Sequence, residues 1–186
     1  SFIVQYKLDG ASIELQYRNG HFRYGVTRGD GTRGDDITQN VRRMRGVPLQ
    51  LPEDFTGAVR GEVIMEHDVH RRYYPDKANC RNAANGLMKR KDGVGSEHLL
   101  ILCYDAHSDG ETREFFREED KLQWLEEGGF RTVPYRVFSS PEEVVHYRDL
   151  VAEERADLDY DIDGLVVKDP NVDIADMQRA RPQKQI

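Results

Sequence analysis

The fold is decided by residues 7–27, which read KLDGASIELQYRNGHFRYGVT. From Ala11 to Tyr17 apolar residues alternate with polar ones, as they do along a strand with one buried face. Asn19-Gly20 then supplies a tight turn, because both residue types tolerate positive φ. Residues 21–27 form the returning arm. The segment therefore predicts an antiparallel hairpin, preceded by a lysine and an Asp-Gly turn.

The rest of the chain predicts further strands and helices. Asp35 or Asp36 can cap a short helix whose apolar face begins at Ile37 and Val41. Strands are expected at residues 59–65, 99–106 and 165–167, and acidic helices at 113–127 and 141–155. No repeat and no linker composition interrupts the chain. We therefore expect one α+β domain over residues 1–186, with mostly antiparallel sheets flanked by helices.

The number of cysteines and the hydropathy of the chain indicate the cellular compartment. No apolar run is long enough to span a bilayer, and no basic segment followed by an apolar one marks a signal peptide at the N-terminus. Cys80 and Cys103 are too few for a disulfide framework and too far apart for a four-ligand zinc site. A reducing, cytoplasmic location with no membrane partner is therefore expected.

The charge is acidic overall and unevenly distributed. A net charge of −7 argues against a generic basic DNA-binding domain, because nonspecific affinity comes from neutralising phosphates. Residues 71–93, however, carry seven Lys or Arg against two Asp. The acid-rich runs at 105–128 and 142–163 are typical of solvated helix faces. The basic central segment leaves one face able to meet a polyanion.

A glycine-rich loop after the hairpin offers one functional interpretation. Gly29 to Gly34 match G-x-G-x-x-G, with a strand before, a helix after, and acids at Glu53 and Asp54. This pattern is found in dinucleotide-binding oxidoreductases. The fingerprint belongs in a βαβ unit with a parallel sheet, whereas the strand before it here is the second arm of a hairpin. The oxidoreductase is therefore kept as a minor alternative.

Five segments, in order, carry a second interpretation. The first is Lys7-Leu8-Asp9-Gly10, the K-x-D-G hallmark of covalent nucleotidyltransferases. It is followed by TRGDGTRGDDITQNVR at 27–42, VRGEV at 59–63, RNAANG at 81–86 and DIDGLVVK at 161–168. Taken singly, each segment has an ordinary structural explanation. Together and in this order they resemble bacterial NAD-dependent DNA ligases, and imply the covalent nucleotidyltransferase fold of the adenylation domain.

The resemblance implies a reaction. AMP would pass from NAD to Lys7, then to the 5′-phosphate of a nick in double-stranded DNA, and the strand would be sealed. The attacking amine must be neutral, yet a free lysine amine is protonated at neutral pH. A neighbouring cation favours the neutral form, and Lys168 and a divalent metal are the candidates. Lys7, Asp9 and Lys168 are the expected catalytic residues.

The resemblance also implies a nucleotide pocket. Arg28 resembles the arginine that holds the ribose and phosphate side of the nucleotide. Glu62 resembles the glutamate that binds the ribose hydroxyls, and Tyr104 the tyrosine that stacks on adenine. Lys168 resembles the lysine that meets the α-phosphate. The implied nucleotide-binding set is Gln5, Lys7, Leu8, Arg28, Glu62, Tyr104 and Lys168.

A metal and DNA complete the expected partners. Phosphoryl transfer builds charge on nonbridging oxygens that one lysine cannot neutralise, so Mg²⁺ or Mn²⁺ is expected. Glu62 and Asp163 are placed to orient its water ligands. Arg81 and Arg155 resemble arginines that act after adenylylation on the nick phosphate, and Lys89 stands where a third phosphate contact is expected.

Two departures from the family pattern keep a noncatalytic alternative open. The position two before the nucleophile is usually glutamate in the family and is Gln5 here, and an amide oxygen can still accept from the adenine amino group. An arginine is usual where Lys89 stands, and lysine offers a point charge in place of a planar fork. A ligase core that only holds NAD or DNA is the rival hypothesis.

The chain is expected to be a fragment of a longer protein. Lys7 lies close to the first residue, and the last residues finish no element. The resemblance implies a module that grips nicotinamide mononucleotide before Ser1, and a further phosphate-binding motif and DNA-clamping modules after Ile186. The chain by itself is therefore expected to react poorly with NAD, because the leaving group would not be held in line.

Overall fold

Two antiparallel sheets and five α-helices make up the structure, a computed structural model that describes residues 1–28 and 34–169 and the backbone of 184–185. The strands are β1 (Phe2–Leu8), β2 (Ala11–Arg18), β3 (His21–Thr27), β4 (Gly57–Ile64), β5 (Leu100–Ser108), β6 (Tyr135–Phe138), β7 (Ile162–Lys168) and β8 (Lys184–Gln185). The helices are α1 (Thr38–Val41), α2 (His67–Tyr73), α3 (Cys80–Met88), α4 (Glu118–Glu127) and α5 (Pro141–Glu154), with 3₁₀ turns at Ser96–His98 and Arg155–Asp157. The α+β prediction is confirmed.

The chain crosses from one sheet to the other at the Asp9-Gly10 turn. The first sheet has the order β6-β1-β7-β8 and the second the order β3-β2-β4-β5. Every neighbouring pair of strands is antiparallel. β1 lies inside the first sheet and β2 inside the second. The K-x-D-G segment therefore occupies the junction between the sheets.

The predicted hairpin is present. β2 pairs with β3, and Asn19 and Gly20 both have positive φ, as a two-residue hairpin turn requires. Along β2 the side chains of Ile13, Leu15 and Tyr17 are buried, whereas the intervening residues are more exposed. The alternation seen in the sequence therefore gives the second sheet one apolar and one polar face.

Each face of the molecule has its own apolar cluster. The larger cluster packs the apolar face of the second sheet against α3 and α4, and includes Ile13, Leu15, Val59, Val63, Ile101, Met88, Leu122, Trp124 and Leu125. The smaller cluster joins the first sheet and α5 to the second sheet, and includes Val4, Leu8, Ile64, Leu100, Leu102, Val144, Val151, Ile162 and Leu165. The polar face of the second sheet lies on the same side as this smaller cluster.

Several elements differ from the sequence predictions. α4 begins at Glu118, five residues later than expected, because Arg117 is extended and the Phe115 ring packs against Trp124 with 5.2 Å between the ring centres. α1 is a single turn that begins at Thr38, whose backbone amide donates to Asp36. α2, α3 and β6 were not predicted. None of the helices within the described residues is long and apolar enough to cross a membrane.

Gly10 is required by space. A Cβ at this position would press into the Val63 carbonyl oxygen and lie 2.9 Å from the Ile64 side chain. The backbone of the inter-sheet turn therefore runs directly against β4. Glycine is the residue that permits this approach, because any side chain would push the turn away from the strand.

We predict that Gly10→Ala lowers the free energy of unfolding by roughly 1–3 kcal/mol, as overpacking of a close contact does. Denaturant unfolding of the chain measures the change. Gly86→Ala is the matched control, because a Cβ at Gly86, in α3, has no neighbour within 4 Å. That substitution should be neutral or stabilise by up to about 1 kcal/mol. Equal effects of the two substitutions would contradict the packing argument.

Candidate active site

Polar side chains from two neighbouring strands meet on the polar face of the second sheet. Glu62 of β4 lies opposite Ser12 of β2 and Leu102 of β5. The Ser12 hydroxyl donates a hydrogen bond of 3.3 Å to the Glu62 carboxylate. Two residues along β4, Arg60 faces Glu14 at 3.8 Å. The alternation that buries the apolar face of this sheet therefore gathers these groups on the other face.

Glu62 is the electrostatic centre of this face. Burial raises the pKa of Glu62 to about 7, and the Ser12 hydrogen bond and the charge of Arg81 oppose the increase. The carboxylates of Asp9 and Asp163 add to it. Glu62 thus interacts with the inter-sheet turn, with β7 and with α3. The segments 7–10, 81–86 and 161–168 therefore each contribute a charge that acts on Glu62 of the segment 59–63.

Tyr104 and Lys168 form the adjacent part of the site. Tyr104 is the extra residue of a bulge on β5, since Gly61 pairs with Cys103 and Arg60 with Asp105. The buried Lys168 ammonium donates to the Tyr104 carbonyl oxygen at 3.1 Å and lies 5.6 Å from the centre of the Tyr104 ring. Burial raises the pKa of Tyr104, with Glu62 adding to the effect and Arg28 opposing it.

A buried charge network lies behind Lys168. Lys121 of α4 is 2% exposed, and its ammonium contacts Asp105 at 2.5 Å and Glu118 at 2.8 Å. Glu118 is also 3.7 Å from the Lys168 ammonium. Burial lowers the pKa of Lys168, and Asp105 and Glu118 oppose the decrease. The two carboxylates thus hold two lysines in the protein interior.

Sequence reasoning missed this network. Lys121 and Glu118 lie in a helix whose acidic composition indicates a solvated face, yet both side chains are buried. The signal was their spacing: Lys121 occupies the position before the buried Leu122, three residues after Glu118, on the turn that faces β5. The same spacing also occurs in ion pairs on exposed helix faces. The pair can therefore be assigned to the interior only when the packing of α4 against β5 is known.

The nucleophile candidate lies at the end of β1. Lys7 pairs with Gly164 of β7, and the register shifts by one residue between Lys7 and Leu8. In the turn that follows, the Asp9 amide donates to the Asp161 carbonyl oxygen at 3.1 Å. Arg81, in the first turn of α3, donates to the Asp9 carboxylate at 3.4 Å. These contacts bring Asp9 and Arg81 close enough for their charges to act on Glu62, and Lys7 lies two residues before Asp9.

The other expected nucleotide residues lie near the same strands. Gln5 is 2% exposed on β1, and its side-chain amide donates to the Val133 carbonyl oxygen at 3.1 Å. Leu8 is buried in the smaller apolar cluster. Arg28 follows β3, its amide donates to the Ser12 carbonyl oxygen at 3.2 Å, and its charge acts on Tyr104.

The expected metal and DNA residues are more exposed. Asp163 is an exposed residue of β7, and its charge acts on Glu62. Lys89, at the end of α3, lies 3.7 Å from Asp35. Arg155 donates to the Ile162 carbonyl oxygen at the start of β7. Lys89 and Arg155 thus lie outside the group of side chains around Glu62 and make contacts that fix local structure.

The oxidoreductase alternative is wrong. The described sheets are antiparallel, so no parallel βαβ unit surrounds the glycine loop. Glu53 accepts a 2.7 Å hydrogen bond from the Trp124 indole and pairs with Arg113 at 3.3 Å, so this acid stabilises the α4 region. Of the loop itself, residues 29–33 lie outside the described residues.

Comparison with known proteins identifies the family. Residues 1–179 match the model of the NAD-dependent DNA ligase adenylation domain. The chain belongs to this family. It is 50% identical over 200 residues to a DNA ligase of Treponema denticola, covering 100% of this chain and 31% of that protein. A DNA ligase of Treponema pallidum is also 50% identical over 200 residues, with 24% of that protein covered. The chain thus spans a third or less of these relatives.

A solved structure agrees with the fold. The structure named Pmar-Lig_Pre. has a TM-score of 0.56 and 15% sequence identity, covering 92% of this chain and 39% of that one. At this identity the likeness extends to the fold alone. The resemblance stated from the five sequence segments is confirmed at the level of the family.

The raised pKa of Glu62 predicts a pH-dependent stability. Between the ordinary value of 4.5 and about 7, the folded chain holds a proton that the unfolded chain releases. The free energy of unfolding therefore falls as pH rises through this window. Glu62→Gln removes the contribution, so the variant should gain up to roughly 3 kcal/mol relative to wild type between pH 4.5 and pH 7.

Chemical denaturation at pH 5, 6 and 8 measures this gain. Gln16→Ala is the control. Gln16 lies on β2, next to the strand that carries Glu62, and its side chain does not titrate. Its difference from wild type should not vary with pH. If the stability curves of Glu62→Gln and wild type run parallel, the carboxyl is not protonated in the folded chain near neutral pH.

Proposed function

We propose that the chain is the adenylation core of a longer NAD-dependent DNA ligase, which transfers AMP from NAD to Lys7 and then to the 5′-phosphate of a DNA nick. One observation carries the proposal: the charges of Asp9, Arg81 and Asp163 all act on the half-buried Glu62. These residues come from four separate motifs, and a fold without nucleotide chemistry has no need to gather them. The chain covers only 31% and 24% of the two Treponema ligases, and this supports a longer parent protein.

The arrangement fits an adenosine nucleotide. The Tyr104 ring offers a stacking surface for adenine. The Gln5 amide nitrogen is engaged by Val133, so its oxygen is the group left to accept from the adenine amino group. Glu62, once ionised, accepts hydrogen bonds from the ribose hydroxyls. Lys168 carries a positive charge beside Tyr104 and meets the α-phosphate, with Arg28 contributing from the end of β3.

Lys7 is the group that reacts. Its neutral amine attacks the α-phosphorus of NAD, the bond to nicotinamide mononucleotide breaks, and the amine loses a proton as the phosphoramidate forms. The bond from phosphorus to Lys7 then breaks when the 5′-phosphate of the nick takes the AMP. The 3′-hydroxyl displaces AMP and closes the strand. Lys168 stabilises the charge that develops on the phosphate in the first step.

The carboxylates around Glu62 fit Mg²⁺ or Mn²⁺ held through its water ligands, because among the described residues the three carboxylates do not lie close enough to share one ion directly. Glu62, Asp9 and Asp163 offer carboxylate oxygens, the ligands that these hard cations prefer. Glu62 and Asp163 would hold the ion through water. When bound, the ion would neutralise charge on the transferred phosphate. A cation here would also favour the ionised form of Glu62.

DNA would be met by the basic segment. Arg81 is more than half exposed and lies at the edge of the nucleotide site, where a nick phosphate would meet the bound AMP. Lys89 and Arg155 are exposed and offer further phosphate contacts. Partner modules that hold nicotinamide mononucleotide and clamp the DNA are proposed for the rest of the parent protein.

The noncatalytic alternative is less well supported. A module that only held NAD or DNA would have no need for a lysine opposite Gly164 or for a buried Lys168 held by two carboxylates. Both features have a conformational or desolvation cost that the proposed reaction explains.

We predict that Lys7→Ala abolishes covalent AMP labelling in the parent protein, because alanine lacks the amine that attacks the α-phosphorus. Intact-mass spectrometry after incubation with NAD and Mg²⁺ measures the label, and digestion maps it. Lys77→Ala, an exposed lysine between α2 and α3, is the control and should label like wild type. AMP that maps to another residue in wild type would contradict the assignment.

We predict that Arg81→Ala slows sealing of a pre-adenylylated nick by about tenfold or more, because a charge-assisted phosphate contact contributes roughly 1.5–3 kcal/mol. Formation of lysyl-AMP should change by a few-fold at most, since the contact with Asp9 is long and half exposed. Single-turnover assays separate the two steps. Arg148→Ala on α5 controls for net charge. Equal losses in both steps would assign Arg81 to the nucleotide pocket.

A further inference from the structure

Three metal-binding side chains meet outside the nucleotide site. His67 is the first residue of α2, Cys80 is the first residue of α3, and Asp161 lies just before β7. One ligand atom of each lies within 4.8 Å of the other two. Within the described residues this is the group of three or more such side chains close enough to share one ion. No metal-binding sequence motif predicts this group, since the three residues are far apart in the chain.

We propose that His67, Cys80 and Asp161 bind a thiophilic divalent cation, with Zn²⁺ as the best match. Thiolate, imidazole and carboxylate are the three ligand types that Zn²⁺ takes in proteins. Ligand distances of about 2.0–2.3 Å place neighbouring tetrahedral ligands roughly 3.5 Å apart, so the side chains need only small rotations. Three protein ligands leave a fourth position for water.

The backbone holds the three residues in place. The His67 amide donates to the Asp159 carbonyl oxygen at 2.8 Å, which ties α2 to the segment before β7. The Asp161 carbonyl oxygen accepts from Asp9 at 3.1 Å. Asn79 caps α3 by accepting from Asn82 at 2.8 Å, which fixes the helix end that carries Cys80. Three elements are thus anchored before any ion binds, which lowers the entropy cost of assembling the site.

The cluster has an opening and a closed end. The side chains of His67 and Asp161 are 27% and 44% exposed, whereas Cys80 is buried. The His67 imidazole and the Asp161 carboxylate already contact each other at 2.7 Å. A cation can therefore enter from the solvent side, replace this hydrogen bond and reach the sulfur. The thiol supplies the selectivity, because Mg²⁺ prefers oxygen ligands.

The proposed site is distinct from the carboxylates around Glu62 and is connected to them. Asp161 contacts Asp9 through the backbone, and Cys80 directly precedes Arg81, which contacts the Asp9 side chain. An ion that clamps α3 to the start of β7 would fix both sides of the contact between Arg81 and Asp9. Zn²⁺ should therefore raise the melting temperature of the chain, as any ligand of the folded state does.

Cobalt substitution tests the site directly. The metal-stripped chain is titrated with Co²⁺, whose thiolate complexes absorb in the near ultraviolet and whose tetrahedral complexes absorb strongly in the visible. We expect both bands, saturation at one equivalent, and loss of both bands when Zn²⁺ is added. Weak absorption typical of octahedral Co²⁺ without a thiolate band would overturn the proposal.

Matched variants assign the ligands. Cys80→Ser should remove the thiolate band, and Cys80→Ser and His67→Gln should each weaken Co²⁺ affinity about tenfold or more. Cys103→Ala, at the second cysteine, and His70→Gln, at the next histidine of α2, should leave the spectrum unchanged. Circular dichroism confirms that each variant is folded. A thiolate band that survives in Cys80→Ser, or disappears in Cys103→Ala, would assign the ion elsewhere and refute the site.

Discussion

The structure depends on the close contact between the Asp9-Gly10 turn and β4. The chain leaves the first sheet at Leu8 and enters the second at Ala11, and it can do so only because Gly10 has no side chain to meet the Val63 carbonyl. This contact sets the distance between the end of β1 and the polar face of the second sheet. Lys7 and Asp9 come from one sheet and Glu62 from the other. Their relative position therefore follows from one backbone-to-backbone approach, which explains the glycine of the motif in terms of packing.

The second constraint is that the charge of Lys168 must be buried without being left unpaired. Lys168 is buried on β7, and burial holds its side chain in one position. A solvent-exposed lysine would sample many rotamers instead. Glu118 and Asp105 offset its desolvation, and their own charge is balanced by Lys121 of α4. Removing one member of such a group leaves an uncompensated charge in the interior. The acidic helix α4 thus supports the position of Lys168, and through it the proposed nucleotide site, although none of its residues belongs to a motif.

The sequence predicted the parts of the fold that local pattern determines. The hairpin, the strands β4, β5 and β7, and α5 with its proline start all follow from alternation, turn residues and helix entry signals. α2 and α3 could not be predicted in this way, because α2 has no buried residue and α3 is capped by Asn79 in a segment dominated by its charges. The start of α4 was placed too early, because the packing of Phe115 on Trp124 is a tertiary contact. Tertiary contacts also limited the prediction of the site. The motif residues were found from the sequence, whereas the ion pair between Lys121 and Asp105 was not.

The two departures from the family pattern are accommodated by the surrounding structure. Gln5 is buried with its amide nitrogen directed at the Val133 carbonyl oxygen, a contact that a glutamate could not make while ionised. A carboxylate there would face a carbonyl oxygen in the interior, with a cost that the neutral amide avoids. Lys89 likewise has a partner in Asp35, near the end of the glycine loop, at a distance suited to a flexible ammonium. Each substituted residue thus has a partner that suits its own chemistry, a carbonyl oxygen for the Gln5 amide and a carboxylate for the Lys89 ammonium.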